Sequence, residues 1–100
     1  MIQVISLLYA GDGGYDALKA HERRVMPILH DHGGRLISAS HPSEPRDGDP
    51  DEIHVVHFDD MAALSAFRAD PRHAGLKAER LHAIRDVRLF ITDQFVTYID

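Results

Sequence analysis

The sequence contains no cysteine, so disulfide bonds and thiolate metal sites are excluded. It also lacks any run of lysine and arginine, and its formal net charge is −5. A general nucleic-acid-binding protein needs a basic patch to replace the counterions of the phosphate backbone, so we expect no nucleic-acid partner. No apolar run is long enough to cross a bilayer, and the N-terminus lacks the features of a signal peptide. We therefore expect a cytoplasmic protein that does not contact a membrane.

Hydrophobic patterning divides the chain into alternating strands and helices within one predicted domain, residues 1–100. The predicted strands span residues 2–9, 35–40, 53–58 and 87–99, the last with a bend near 92–94. The predicted helices span residues 15–32, a segment from 61 and a segment from 71 to about 84. Pro27 lies inside the first helix and predicts a kink or a break there. This order predicts a ferredoxin-like βαββαβ fold of the α+β class, an antiparallel sheet with helices on one face.

The first strand is apolar on both faces. Ile5 and Leu7 lie on one side of it, and Val4 and Leu8 lie on the other. An antiparallel sheet with one face in water alternates more cleanly between apolar and polar residues. We therefore predict a homodimer, in which a second subunit related by a twofold axis covers the outer face of the sheet.

The glycine-rich stretch between the first strand and the first helix stands where many proteins bind phosphate. Glycines occupy positions 11, 13 and 14, but Asp16 stands where the dinucleotide fingerprint requires its third glycine. No Gly-Lys-Ser/Thr follows, and Asp12 would repel a phosphate at a helix N-terminus. The pattern therefore predicts a sharp turn and no nucleotide site.

The sequence contains eight histidines, but their spacing matches no compact metal motif. A site assembled from distant residues, such as His21, Glu22 and His54, is the alternative. Our prediction is that the protein binds neither a metal nor a cofactor.

Two histidines of the third predicted strand, His54 and His57, lie three residues apart and therefore point to opposite faces. Phe58 ends this strand and is expected to pack under the helices. Alternation then puts His54 on the helix side of the sheet and His57 on the dimer side. A histidine within an apolar strand needs a hydrogen-bond partner, so a structural and a functional role both stay open for each.

A resemblance to the dimeric α+β barrel superfamily is carried by three segments, PILHDHGGRLI at 27–37, VVHFDDMAALSAF at 55–67 and DPRHAGLKAERLHAI at 70–84. Within the superfamily, the chain is similar to a family of small bacterial domains of unknown function. The resemblance implies a homodimer whose two sheets face each other, with the last strand helping to join them. The superfamily includes cofactor-free monooxygenases, haem-degrading enzymes, lactone isomerases and ligand-sensing domains, so the fold does not determine the function.

These observations predict that the protein binds, and can convert, a small hydrophobic or aromatic metabolite in a pocket between the sheet and the helices. If it is an enzyme, we expect cofactor-independent oxygenation or isomerisation, with His54 or His21 accepting a proton and Arg80 stabilising an enolate or carboxylate. An ion pair with Asp or Glu is the alternative role for Arg80. The candidate binding residues are Tyr9, Tyr15 and His57. The alternative functions are a non-catalytic ligand-binding or sensing module and a haem-binding protein with an axial histidine on the first helix.

Overall fold

A four-stranded antiparallel sheet forms the centre of the protein, whose computed structural model describes residues 1–99. Its strands lie in the order β2-β3-β1-β4. The elements in chain order are β1 (Ile2–Ala10), α1 (Gly14–Asp31), β2 (Arg35–Ser40), β3 (Glu52–Phe58), α2 (Met61–Arg68), α3 (Arg72–Gly75), α4 (Lys77–Ala83) and β4 (Ile84–Thr92). This order of elements and strands confirms the predicted ferredoxin-like α+β fold.

The last strand differs from the prediction at both ends. It begins at Ile84 because α4 ends at Ala83 and the backbone of Ile84 is already extended, with φ −130° and ψ 118°. It ends at Thr92, which pairs with Gln3, so only Ile2 of β1 lies beyond this pair. Residues 93–99 therefore do not continue the strand as predicted.

The first helix continues through Pro27 to Asp31, so the break that we considered at this proline does not occur. Glycines with positive φ stand at both ends of the helix, Gly14 with φ 75° and Gly33 with φ 76°. The N–H of Gly34 donates to the carbonyl of Leu29 and thereby closes the last turn, as expected for a glycine C-cap.

The core lies between the helices and one face of the sheet. Phe58 is almost completely buried and packs in one cluster with Val4, Val56, Leu29 and Leu64. A second cluster lies nearer the other end of β1. Its buried members are Leu8, Leu18, Ala83 and Ile84.

The opposite face of the sheet carries the residues that alternate with the core positions. Ile5 pairs with Val55 on β3 and with Phe90 on β4, so an apolar row crosses the sheet on this side. Phe90 is 44% exposed. Among the helices of residues 1–99, none has the length and apolar character needed to cross a membrane.

Candidate functional site

A cavity of about 510 Å³ lies between the inner face of the sheet and the helices. Its walls are largely apolar and include members of both core clusters, among them Val4, Phe58 and Ile84. Seven polar or charged residues interrupt these walls. They are Ser6, His21, Glu22, His54, Arg68, His73 and Arg80.

Three of the predicted site residues line this cavity together. His54 lies on β3, His21 on α1 and Arg80 on α4. The sequence separates them by dozens of residues, and the fold brings them to one space because α1 and α4 both lie over the inner face of the sheet. Whether these residues act in catalysis stays a prediction.

His54 is buried on the helix side of the sheet, as the position of Phe58 predicts. Its Nε2 lies 2.6 Å from Oε1 of Glu52, a buried residue two positions earlier on the same face of β3. Because an ionised carboxylate can only accept hydrogen bonds, Nε2 carries the hydrogen and donates it. Nδ1 is then the ring nitrogen with the free lone pair.

Tyr15 contacts the other carboxylate oxygen of Glu52. Its hydroxyl donates to Oε2 over 2.7 Å, and its ring stacks on His41 with 4.8 Å between the ring centroids. The hydrogen bond to the Glu52 carboxylate, with smaller contributions from burial and nearby negative charge, raises the pKa of Tyr15 to about 12. Tyr15, a candidate binding residue, does not line the cavity. It reaches the site only through Glu52.

A second carboxyl, that of Glu22, lines the cavity from α1. Burial raises the pKa of Glu22, and the negative charge of Glu52 acts in the same direction. His54 and His21 in their protonated forms, and Arg80, act in the opposite direction but do not cancel this shift. Glu22 makes no side-chain hydrogen bond or ion pair with the rest of residues 1–99. Its carboxyl is therefore available to a molecule in the cavity.

His21, the residue before Glu22 on α1, is held by a carboxylate of α4. Nδ1 of His21 lies 3.0 Å from Oε2 of Glu79 on α4, and Nε of Arg24 lies 3.3 Å from Oε1 of the same carboxylate. His21 is buried, so this contact fixes α4 against α1 at the edge of the cavity.

Arg80 lines the cavity from α4 and is solvent-exposed at the same time. The alternative that we considered, an ion pair with Asp or Glu, is not found among residues 1–99. Its guanidinium can therefore bind an anion that enters from solvent.

Two predicted binding residues, Tyr9 and His57, lie on the other face of the sheet and do not line the cavity. The ring of Tyr9 packs under the guanidinium of Arg85, whose Cζ is 5.2 Å from the ring centroid. Nε2 of His57 lies 2.9 Å from Oε1 of Gln3 on β1. Tyr9 is buried but does not rim this cavity, because odd-numbered residues of β1 face away from the helices.

The glycine-rich loop forms a turn that contacts α4. The N–H of Gly11 donates to the carbonyl of Ala83 over 2.9 Å, and the N–H of Gly13 donates to the carbonyl of His82 over 3.0 Å. A phosphate cradle needs such N–H groups unpaired and pointing at the ligand. The predicted turn is confirmed.

Within residues 1–99, no three His, Asp or Glu side chains lie close enough together to hold a metal ion, and this includes the distant set of His21, Glu22 and His54.

Sequence reasoning missed Glu52 and considered Glu22 only as a metal ligand. The predicted third strand began at residue 53, which left Glu52 in the preceding loop. The signal was its spacing: a residue two positions before His54 in a strand shares the face of that histidine.

A four-stranded sheet in this order, with one face under helices and a cavity between them, defines a ferredoxin-like α+β protein. The chain belongs to the family of the domain of unknown function DUF1330, whose sequence profile matches residues 14–95. None of the curated proteins matches the sequence.

Solved structures share the fold at low sequence identity. The protein of unknown function RPA0582 from Rhodopseudomonas palustris is 19% identical, with a TM-score of 0.78 over 96% of this chain and 83% of that one. A dimeric protein of unknown function with a ferredoxin-like fold from Bacteroides fragilis is 10% identical, with a TM-score of 0.70 over 93% and 95% of the two chains. An antibiotic biosynthesis monooxygenase is 16% identical, with a TM-score of 0.64 over 96% and 100%.

Proposed function

We propose that the protein binds, and converts, a small metabolite with a hydrophobic or aromatic body in the cavity between the sheet and the helices. One observation carries this proposal: a single cavity of about 510 Å³ combines apolar walls with a few convergent polar groups. Sites for small molecules typically measure about 300–1,000 Å³ and have this composition.

The polar groups indicate what the ligand carries besides its apolar body. Arg80 is an exposed guanidinium without an acidic partner in residues 1–99, so it favours a ligand with a carboxylate or another anionic oxygen. His54 and Glu22 reach the same space from the sheet and from α1. The ligand is therefore oriented with its anionic group toward α4 and its apolar body toward Phe58 and Val56.

We also propose that the chain forms a homodimer in which the outer faces of two sheets meet. The apolar row through Ile5, Val55 and Phe90 supports this arrangement, and the Bacteroides fragilis protein of the same fold is dimeric. Burial of such a row is favourable by roughly 25 cal/mol per Å² of apolar surface. A cytoplasmic location stays a prediction.

A calorimetric titration with small aromatic carboxylates and their neutral amides tests the binding proposal. We expect the carboxylates to bind and the amides to bind more weakly. Arg80→Gln should weaken carboxylate binding about 10- to 100-fold, since hydrogen bonds to charged groups contribute about 1.5–3 kcal/mol. Arg46→Gln is the matched control, because Arg46 lies in an exposed loop and, within residues 1–99, its side chain pairs only with Asp49.

Equal binding by the wild type and Arg80→Gln would refute the proposed orientation. A visible absorption spectrum of the purified protein distinguishes the haem-binding alternative, because bound haem absorbs strongly there. Binding of carboxylates without any turnover would favour the sensing module.

A further inference from the structure

The two carboxyls beside His54 have opposite surroundings. Both oxygens of Glu52 are hydrogen-bonded, one to His54 and one to Tyr15, so this carboxylate is held in place. Glu22 has no such partner among residues 1–99 and lines the same cavity as His54. The carboxylate of Glu52 is therefore fixed by hydrogen bonds within the protein, whereas the carboxyl of Glu22 is available to a ligand.

The pairing with Glu52 selects the atom of His54 that can accept a proton. Nε2–H donates to Oε1 of Glu52 over 2.6 Å, and Nδ1 has no hydrogen-bond partner among residues 1–99. A carboxylate behind an imidazole holds the ring in one tautomer and stabilises the imidazolium that forms when the free nitrogen takes a proton. Tyr15 fixes the orientation of this carboxylate from its other side.

Glu22 can supply a proton to the same cavity. Burial and the neighbouring carboxylate favour its neutral form, which is a hydrogen-bond donor. A second cavity of about 240 Å³ is lined by Glu22, Glu52 and His54 as well. Glu22 and His54 therefore border a second space besides the proposed ligand cavity.

We propose that His54 and Glu22 are an acid–base pair that enolises a small 2-keto acid with an apolar side chain, and that Glu52 is a positioning residue for His54. This inference rests on the proposed function, because it needs a ligand whose carboxylate contacts Arg80. In this proposal the ketone and its neighbouring C–H group face His54 and Glu22, two of the polar residues that line the cavity.

The reaction balances without an oxidant or a reductant. The C–H bond next to the ketone breaks, and its proton moves to Nδ1 of His54. The electron pair of that bond forms the carbon–carbon double bond, and the electron pair of the carbonyl π bond moves to oxygen. That oxygen takes the proton of Glu22, which gives the enol. Return of a proton from His54 to the same carbon, and of the hydroxyl proton to Glu22, regenerates the ketone and completes a hydrogen exchange at that carbon.

Phenylpyruvate is a suitable probe, since it combines an aromatic ring, a ketone with an acidic C–H group and a carboxylate. Its methylene protons exchange for deuterium in heavy water, and proton NMR follows the loss of their signal. We expect the wild type to accelerate this exchange above the buffer rate. Glu22→Gln should lower the turnover rate about 100-fold while calorimetric binding is kept, because a general acid or base contributes about 10²–10⁴-fold.

Two further variants give this experiment its controls. Glu44→Gln removes an exposed loop carboxyl outside the cavity and should exchange like the wild type. Glu52→Gln should slow the exchange and also change the imidazole ¹⁵N shifts of unliganded His54 away from the Nε2–H tautomer. That shift is independent of any substrate, and a merely structural role for Glu52 would not produce it. Circular dichroism melting of each variant shows that it is folded.

The outcomes separate this inference from the proposed function. Binding of phenylpyruvate without accelerated exchange, or with unchanged exchange in Glu22→Gln, would overturn the acid–base pair and leave the binding site intact. An Nδ1–H tautomer in the wild type would overturn the role of Glu52. No binding of phenylpyruvate would overturn the substrate class, and no binding of any aromatic carboxylate would overturn the proposed function as well.

Discussion

Replacing Gly11 by alanine is expected to destabilise the protein strongly, because the backbone of α4 lies where the new side chain would go. A Cβ at this position would lie 2.6 Å from the carbonyl oxygen of His82 and 3.2 Å from its carbonyl carbon. Backbone atoms cannot rotate away as the end of a flexible side chain can. The loop and the end of α4 must therefore separate.

This separation has two costs. Overpacking of a tight contact costs about 1–3 kcal/mol. The two hydrogen bonds of the contact, from the N–H groups of Gly11 and Gly13 to the carbonyls of Ala83 and His82, weaken at the same time. Since each such bond contributes about 1 kcal/mol, we expect the free energy of unfolding to fall by about 2–4 kcal/mol. For a domain of this size, the corresponding fall in melting temperature is on the order of 10–30 °C.

Thermal unfolding followed by far-ultraviolet circular dichroism measures the effect, with all samples at one protein concentration. Gly75→Ala is the matched control, because a Cβ at position 75 meets no atom within 4 Å and φ is not positive there. We expect this variant to lie within about 1 kcal/mol of the wild type. A Gly11→Ala protein as stable as Gly75→Ala would refute the reasoning, since it would show that the loop does not contact α4 closely.

The alkaline limit of stability should depend on Tyr15. The folded state raises its pKa from 10.0 to about 12, so the stabilisation is complete below pH 10 and is lost as pH rises toward 12. Solvent screening of this partly exposed group limits the stabilisation to about 1 kcal/mol. Urea unfolding at pH 9 and pH 11.5 should show the loss of this stabilisation in the wild type but not in Tyr15→Phe. If Tyr15→Phe shows the same loss, another group is responsible. For the proposed dimer, light scattering at micromolar concentration should give twice the chain mass of 11.2 kDa. His57→Ala should lower the melting temperature in a concentration-dependent way, whereas His54→Ala should mainly weaken ligand binding or turnover. A stable monomer would contradict the dimer.

Local patterns in the sequence were enough to predict the order of the elements. The alternation of apolar residues is a local signal, and it predicted β3 to within one residue. The predicted first helix ended at residue 32, one residue past its observed end at Asp31. The end of β4 was wrong for a physical reason. Apolar residues continue to Ile99, but a strand also needs a partner, and β1 supplies pairing residues only as far as Gln3.

The sequence predicted a site residue correctly where its position depends on one strand alone. Strand parity places His54 in the cavity and His57 on the far face, and both placements follow from the position of Phe58. The pairing of Glu52 with Tyr15 joins residues 37 positions apart, so no local pattern could indicate it. Parity applied to β1 would also have kept Tyr9 out of the pocket, because Tyr9 shares its face with Leu7.

The residues that line the cavity lie on elements that are held in place to different degrees. His54 lies on a central strand that is paired on both sides, whereas Arg80 lies on a helix of seven residues whose end is held by the glycine turn. A change in the length or sequence of α4 would move Arg80, the proposed anion-binding group, without moving the imidazole of His54. If the proposed function holds across the family, we therefore expect relatives that differ in α4 to differ in the length of the ligand they accept.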